Sequence, residues 1–392
     1  MTMTAMIPGA LCADHPVQSD DVADFIAASS FERPTLVVSR AKVAAQYDAL
    51  ARGLGRARIH YAVKANPAPE IIRTLVQKGA RFDAASRGEI ELCLSQGARG
   101  RDISFGNTVK RPSDIAFAHD AGVTLFAVDS EAEIDKIRDH APGAEVYIRV
   151  IVENSAADWP LSRKFGCAHG AVPALMEHAR AEGVQVAGLS FHVGSQTRLA
   201  EYWGPVLDQV ATLWHAARAA GHDLRVLNLG GGFPASYESA VEGAESYAAK
   251  VMAQVDERFG EVPYVMAEPG RGLVAEAGHI VAEVLLVSRK SADDLHRWVY
   301  LDIGMFSGLA ETMGEAIRYR IDTPGRGGEM GACILAGPSC DSADILYEQR
   351  PVMLPLDLRA GDRVVIRHCG AYTSSYSSVG FNGFPPLDVV VL

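Results

Sequence analysis

No cysteine pair in this 392-residue chain stands at C-x-x-C spacing. The six cysteines (Cys12, Cys93, Cys167, Cys333, Cys340, Cys369) are scattered, which excludes a zinc ribbon or disulfide frame and predicts free thiols in a reducing cytoplasm. Basic residues are also short: 37 Lys and Arg against 48 Asp and Glu leave a net charge of -11. That balance argues against nucleic acid or an anionic membrane as partner and is compatible with an acidic cleft that attracts a cation. No apolar run reaches the length of a membrane span. The opening MTMTAMIPGALCADHP lacks the basic and apolar regions of a secretory leader, so a loose tail on a soluble protein is expected. What the chain does have is apolar material, 48% of its residues, enough for two cores at this length.

From about residue 58 to 270, short β-rich runs alternate with helical stretches, the pattern of a parallel sheet. The strand candidates are Arg58–Ala65, Arg81–Ser86, Ile103–Asn107, Leu125–Asp129, Glu145–Val150, Gly188–Gly194, Val226–Gly232 and Tyr264–Gly270. Helix starts fall between them at Pro69-Glu70, Pro112-Ser113-Asp114 and Ser130-Glu131. Eight such units make a (β/α)8 barrel. After residue 275 the texture becomes strand-like without helical spacers: His279–Lys290, Trp298–Ile303, Ala332–Ala336, Arg363–Cys369 and Leu387–Leu392. The expected organisation is a tail and strand joining the β domain over 1–36, the barrel over 37–275 and a mostly β domain over 276–392.

Barrel active sites lie at the C-terminal strand ends, with phosphate commonly bound after strands 7 and 8. In order, those ends offer Lys64, Asp83, Arg149, His192 with Ser195, Gly230-Gly231-Gly232, and Glu268 with Arg271. Each has a plain reading beside a chemical one. Lys64 is either a solvated loop amine or a pocket nucleophile, stripped of charge by desolvation, that can bond a carbonyl cofactor. The glycine triplet is a tight turn or a phosphate cradle, and Arg271 is a surface ion pair or a guanidinium for that phosphate. Glu268 can pair with a protonated pyridine nitrogen. His192 is a hydrogen-bonded core residue or a ring that stacks on a planar group. In the β domain, Gly337-Pro338-Ser339-Cys340-Asp341 is an ordinary turn or a proton donor beside an anionic contact for an amine.

Together these residues resemble the fold-type III pyridoxal phosphate enzymes and, within them, the ornithine/lysine decarboxylase family. The resemblance spans about residues 30 to 392 through YAVKAN (Tyr61–Asn66), FDAASRGE (Phe82–Glu89), Lys164-Phe165-Gly166, FHVGSQ (Phe191–Gln196), LGGGFP (Leu229–Pro234), EPGR (Glu268–Arg271), GPSCD (Gly337–Asp341) and GAYT (Gly370–Thr373). It implies an alanine racemase-like architecture and pyridoxal 5'-phosphate as cofactor. Lys64 would hold the cofactor covalently, Glu268 its pyridine nitrogen and His192 the ring face. Ser195, Gly230 to Gly232, Arg271 and Tyr372 would hold the phosphate, with Asp83, Glu89 and Arg149 around ring and lysine. It further implies a homodimer with shared sites, in which Cys340 and Asp341 enter the partner's barrel mouth and Lys164 pairs with Asp344.

The implied reaction is decarboxylation of L-ornithine or L-lysine to a diamine, with Cys340 returning a proton to the substrate carbon and Asp341 holding the distal ammonium. One departure bears on substrate. The family carries an acidic residue where this chain has Gly314, which leaves Glu315, Glu311 or the backbone to contact the distal amine, or a pocket for a longer or modified basic amino acid; Phe381 in the tail is a further candidate to line the cleft. Diaminopimelate decarboxylase is the nearest rival, but its family usually carries glutamate where Asp341 stands. Alanine racemase places arginine against the pyridine nitrogen, and Glu268 counts against it. A regulatory pseudoenzyme would not require Lys64, Cys340 and the glycine run, and an aldolase using Lys64 directly would not require Glu268, His192 and a phosphate cradle together.

Overall fold

The computed structural model describes residues 21–152 and 164–392. Cys12 and most of the expected tail lie outside the described residues. The described chain divides into two compact units, one of Lys42–Ala275, the other of the residues up to Ala41 with Glu276–Leu392.

Strand β1 (Thr35–Val38) belongs to the second unit. The first is built on β2 (Arg58–Ala62), β3 (Arg81–Ala84), β4 (Ile103–Phe105), β5 (Leu125–Val128), β6 (Glu145–Arg149), β7 (Gln185–Ser190), β8 (Val226–Asn228) and β9 (Tyr264–Ala267). These eight close in sequence order into a parallel barrel, β9 returning to β2 through Arg58↔Met266 and Ile59↔Ala267. Local chemistry sets the connecting helices. Pro69 and Pro112 open Pro69–Gln77 and Pro112–Asp120, where a missing N–H costs nothing. Ser86 and Glu89 cap Arg87–Ser95 from both sides: Ser86 Oγ accepts from Glu89 N at 3.3 Å, and Glu89 Oε2 accepts from Ala85 N at 2.6 Å. In the barrel core, His60 spans Ser104 Oγ (3.2 Å) and Tyr264 OH (2.9 Å), and burial pulls its pKa down to about 3, which keeps the ring neutral.

All eight barrel strands end short of their expected runs, and at β2 and β7 the shortening moves site residues off the strand. β2 stops at Ala62 because Val63–Ala65 winds into a 3-10 turn closed by Asn66 N to Val63 O at 3.2 Å. Asn66 favours the turn: its Oδ1 accepts from Ala68 N (3.1 Å) and its carbonyl accepts from Tyr61 OH (2.9 Å). Lys64 therefore rides on a turn rather than on the strand. Likewise β7 begins and ends earlier than expected, leaving His192 and Ser195 on the loop beyond it, where Gly194 takes φ 102°.

The second unit is a sheet of β1, β10 (Gly278–Ser288), β11 (Arg297–Leu301), β12 (Ile321–Asp322), β13 (Met330–Ala336), β14 (Ile345–Pro355), β15 (Arg363–Ile366) and β16 (Asp388–Val391). Its order is β12-β15-β10-β11-β13-β14, and β1 pairs antiparallel with β10 and parallel with β16. The core between sheet and helix Asp21–Ala28 holds Val22, Ile26, Val37, Val281, Val365 and Leu392. β14 escapes sequence reading because Glu348-Gln349-Arg350-Pro351 interrupts its apolar pattern, and proline demotes a strand. Among the described residues no helix is long and apolar enough to cross a membrane.

Candidate active site

At the barrel mouth the turn after β2 and the ends of β3, β6, β7 and β9 bring five charged or titratable side chains into one electrostatic field. Asp83 is buried and its carboxyl pKa is raised by that burial, while the nearby charges of Lys64 and Arg149 pull it back. Its Oδ1 is buried without a hydrogen-bond partner, an acceptor waiting for a donor. Gly106 makes the room, since a Cβ there would sit 1.8 Å from that oxygen. Glu268 is pushed up to about 8 by burial and by Asp83, against the pull of Asn228, Lys64 and Arg149. Asn228 Nδ2 donates to Glu268 Oε1 at 2.5 Å, and Asn228 Oδ1 accepts from Gly230 N at 2.9 Å. One amide thus ties the carboxyl to the glycine loop. Lys64 itself is exposed on the turn after β2.

His192 Nδ1 accepts from Gly194 N at 2.9 Å. Burial, then Arg149 and Lys64, pull its pKa down to about 3, so the ring is neutral and its proton sits on Nε2. Such a ring can lie against a planar group without adding charge. Gly231 faces it: a Cβ at 231 would stand 2.9 Å from Nε2 and 3.1 Å from Glu268 O. Overpacking of this kind costs about 1–3 kcal/mol. Gly231→Ala is accordingly expected to weaken cofactor binding roughly tenfold or more, checked by titrating cofactor-free protein and following absorbance.

The glycine run forms a bare-backbone cradle. Gly230 (φ 66°) and Gly232 (φ 104°) adopt conformations that side chains resist, and Cβ atoms there would meet Phe191 O at 2.1 Å and Val193 Cγ2 at 2.4 Å. Gln196 clamps the loop, donating from Nε2 to Ala235 O (2.6 Å) and accepting at Oε1 from Ala235 N (3.1 Å). Arg271 is only 4% exposed. Its Nε and Nη2 donate to Ser195 Oγ at 3.3 and 3.1 Å, and its Nη1 to Tyr237 OH at 2.8 Å. A buried guanidinium held beside a hydroxyl and a glycine cradle suits a phosphate dianion. With a lysine, a buried carboxyl and a neutral histidine in the same mouth, the residues fit a phosphorylated pyridine aldehyde.

A family model for the pyridoxal binding domain of pyridoxal-dependent decarboxylases matches residues 40–275. The chain belongs to the pyridoxal-dependent decarboxylases. A lysine/ornithine decarboxylase from Selenomonas ruminantium is 34% identical over 352 residues, covering 90% of this chain and 87% of that protein. A lysine/ornithine decarboxylase from Vibrio vulnificus, solved with cadaverine, aligns at a TM-score of 0.85 and 31% identity, over 96% of this chain and 100% of that one. An arginine decarboxylase from Paramecium bursaria Chlorella virus, solved with agmatine, aligns at 0.85 and 26%, over 95% and 100%.

In this decarboxylase the remaining expected residues lie in the β unit or outside the charged ring. Among the described residues Cys340 is the exposed thiol; Cys93, Cys167, Cys333 and Cys369 are buried, and burial raises the pKa of each. Asp341 is exposed, with Oδ1 accepting from Ala343 N at 2.9 Å. Phe381, 38% exposed, packs on Phe306 at 4.8 Å. Tyr372 takes φ 54° beside buried Thr373. Lys164 is exposed, its Nζ 4.8 Å from the Phe165 ring. Asp344 is 3% exposed, accepting from Met305 N (2.7 Å) and Ser339 N (3.1 Å). Glu315 needs correction as a free substrate carboxylate. Its Oε1 accepts from Glu348 N (2.8 Å) and Gln349 N (2.6 Å), and its Oε2 from Arg318 Nη1 (2.6 Å). Oε1 holds the turn Ala310–Glu315 to β14, and Oε2 is taken by Arg318. Sequence reading gave no role to Asn228, Tyr237, Gln196 or Gly106.

Proposed function

We propose that this decarboxylase converts a basic L-amino acid, L-ornithine or L-lysine, to putrescine or cadaverine with release of CO2, using pyridoxal phosphate. The observation that carries this reading is the convergence of Lys64, Asp83, Glu268 and His192 beside the Arg271 cradle in one barrel mouth. When bound, the cofactor supplies an electron sink for the pair left on the substrate carbon as CO2 departs. Lys64 Nζ would anchor the cofactor. Glu268, aligned by Asn228, would keep a proton on the pyridine nitrogen, and His192 would cover a ring face. Ser195, Arg271, Tyr372 and the glycine backbone would hold the phosphate. Cys340 Sγ donates the proton that replaces CO2, and Asp341 accepts the distal ammonium. Purified protein given L-ornithine, L-lysine, L-arginine and meso-diaminopimelate should release CO2 and amine from the first two. Amine from none of the basic amino acids would sink the reading, and turnover of diaminopimelate alone would replace it.

Two copies of the chain share their sites in this reading, Cys340 and Asp341 of each completing the mouth of the other, with Lys164 facing Asp344 across the junction. The unpaired buried thiols support a reducing, cytoplasmic setting. Cys340→Ala should still release CO2 but divert product. Without the donor, the proton and electron pair would go to the cofactor in place of the substrate carbon, the substrate nitrogen would stay with the cofactor, and water would supply the oxygen of an aldehyde product. An unchanged amine-to-aldehyde ratio would remove Cys340 from the acid role. Mixing Lys64→Ala with Cys340→Ala subunits should restore about a quarter of native amine formation, because half the dimers are mixed and each has one intact site. No recovery on mixing would mean that each chain builds its own site.

A further inference from the structure

We propose that Asn382 is the positioning residue for the Cys340 thiol; the inference rests on the reading of Cys340 as proton donor. Asn382 Oδ1 accepts from Cys340 N at 3.2 Å and lies 3.6 Å from Cys340 Sγ, within reach of the S–H. A single oxygen therefore fixes the backbone of the donor loop and the direction of its proton. A thiol is a weak donor with a free rotor. Left alone it points its hydrogen anywhere; with a fixed acceptor it keeps a single rotamer, so the same sulfur face is offered at each turnover.

The acceptor is itself held firmly. Asn382 takes φ 51°, ψ 22°, a left-handed conformation that asparagine tolerates better than most residues. It lies between Gly380 (φ 73°) and Gly383 (φ 79°), in a turn closed by Gly383 N to Gly380 O (3.0 Å) and Phe384 N to Phe381 O (3.1 Å). The adjacent Phe381 ring packs on Phe306 at 4.8 Å. The donor loop is fixed from its other side by Asp344, which takes Ser339 N and Met305 N and accepts Gly337 N at its own carbonyl (2.9 Å). Asn382 thus joins two loops more than forty residues apart, at the atom whose proton is used. In each turnover the S–H turns from Asn382 Oδ1 toward the substrate carbon and its proton passes there, after which solvent returns one to Sγ and the bond to Asn382 re-forms.

The left-handed backbone supplies a clean test, because glycine adopts φ 51° without strain and removes only the amide. In the holoenzyme, Asn382→Gly is expected to speed alkylation of Cys340 by iodoacetamide roughly 2- to 10-fold at neutral pH, the worth of one modest hydrogen bond. It should also raise the aldehyde share of product while CO2 release changes little. Asn382→Asp keeps an acceptor oxygen and should restore both readings toward the native values. An alkylation rate and product ratio in Asn382→Gly equal to wild type would overturn the proposal. So would faster alkylation with an unchanged product ratio, provided Cys340→Ala does divert product. If Cys340→Ala leaves the ratio unchanged, the proton-donor reading falls instead, and the alkylation rate alone still reports whether Asn382 holds the thiol.

Discussion

Lys64→Ala is expected to lower the rate of decarboxylation by the holoenzyme about 10³-fold or more, the scale lost with a positioned proton-transfer group and equivalent to about 4 kcal/mol of barrel-mouth chemistry. The visible absorbance of covalently held cofactor should vanish, and borohydride should no longer fix cofactor to the chain. The fold should survive. Lys64 is exposed, and the turn around it is closed by Asn66 N to Val63 O, Tyr61 OH to Asn66 O and Ala68 N to Asn66 Oδ1, none of which uses the lysine head. Cofactor should still bind without the covalent link, through Arg271, Ser195 and the glycine backbone. A primary amine added in solution should recover part of the rate, since it replaces the missing group but not its placement. Wild-type absorbance, or borohydride attachment at another lysine, would show that the anchor lies elsewhere. Loss of Asp83 from the Lys64 field is a further consequence: without that ammonium the Asp83 carboxyl loses a group that pulls its pKa down, and the cofactor-free variant should hold its protons to higher pH.

The barrel was legible because parallel strands buried on both faces read as short apolar runs between helical spacers. All eight strands fall within or beside the expected runs. The site ring was legible for a different reason: its residues stand at strand ends, where position alone suggests chemistry. What could not be read is contact across the barrel. Asn228 sits directly before the glycine loop, yet its link to Glu268 spans forty residues. Tyr237 lies beyond the same loop in no motif and is found through its bond to Arg271. Glu315 shows the opposite failure. A carboxylate beside Gly314 invites a substrate role, but sequence cannot tell whether its oxygens face a cleft or the chain itself, and here Oε1 takes Glu348 N and Gln349 N while Oε2 takes Arg318. Lys64 was expected at the end of a strand and stands instead on the 3-10 turn Val63–Ala65, exposed, because Asn66 closes that turn.

Glu268→Gln should have two effects of opposite sign, one in the loaded enzyme and one in the empty chain. With cofactor bound, glutamine can still accept from Asn228 but cannot stand as the anion beside a protonated ring nitrogen. Decarboxylation is expected to fall about 10²- to 10⁴-fold, with little loss of phosphate-side binding. In the cofactor-free protein the same carboxyl is a burden. Burial and Asp83 push its pKa from 4.5 up to about 8, so the folded chain keeps a proton that the unfolded chain has lost. Below about pH 4.5 both states carry that proton and the group is neutral to stability. Between 4.5 and 8 the folded state binds more protons, and stability falls with each unit by up to about 1.4 kcal/mol. Above 8 the full penalty is present. Glu268→Gln removes this contribution, so cofactor-free variant should out-melt cofactor-free wild type by a margin that widens from pH 5 to pH 8. Asp83 and Glu89 are raised in the same direction and stay in place, so a weaker slope of the same sign should persist. Parallel melting curves across that range would place the proton elsewhere in the pair. The carboxyl that destabilises the empty barrel is the one proposed to hold the ring-nitrogen proton, as expected where a site is kept strained for function.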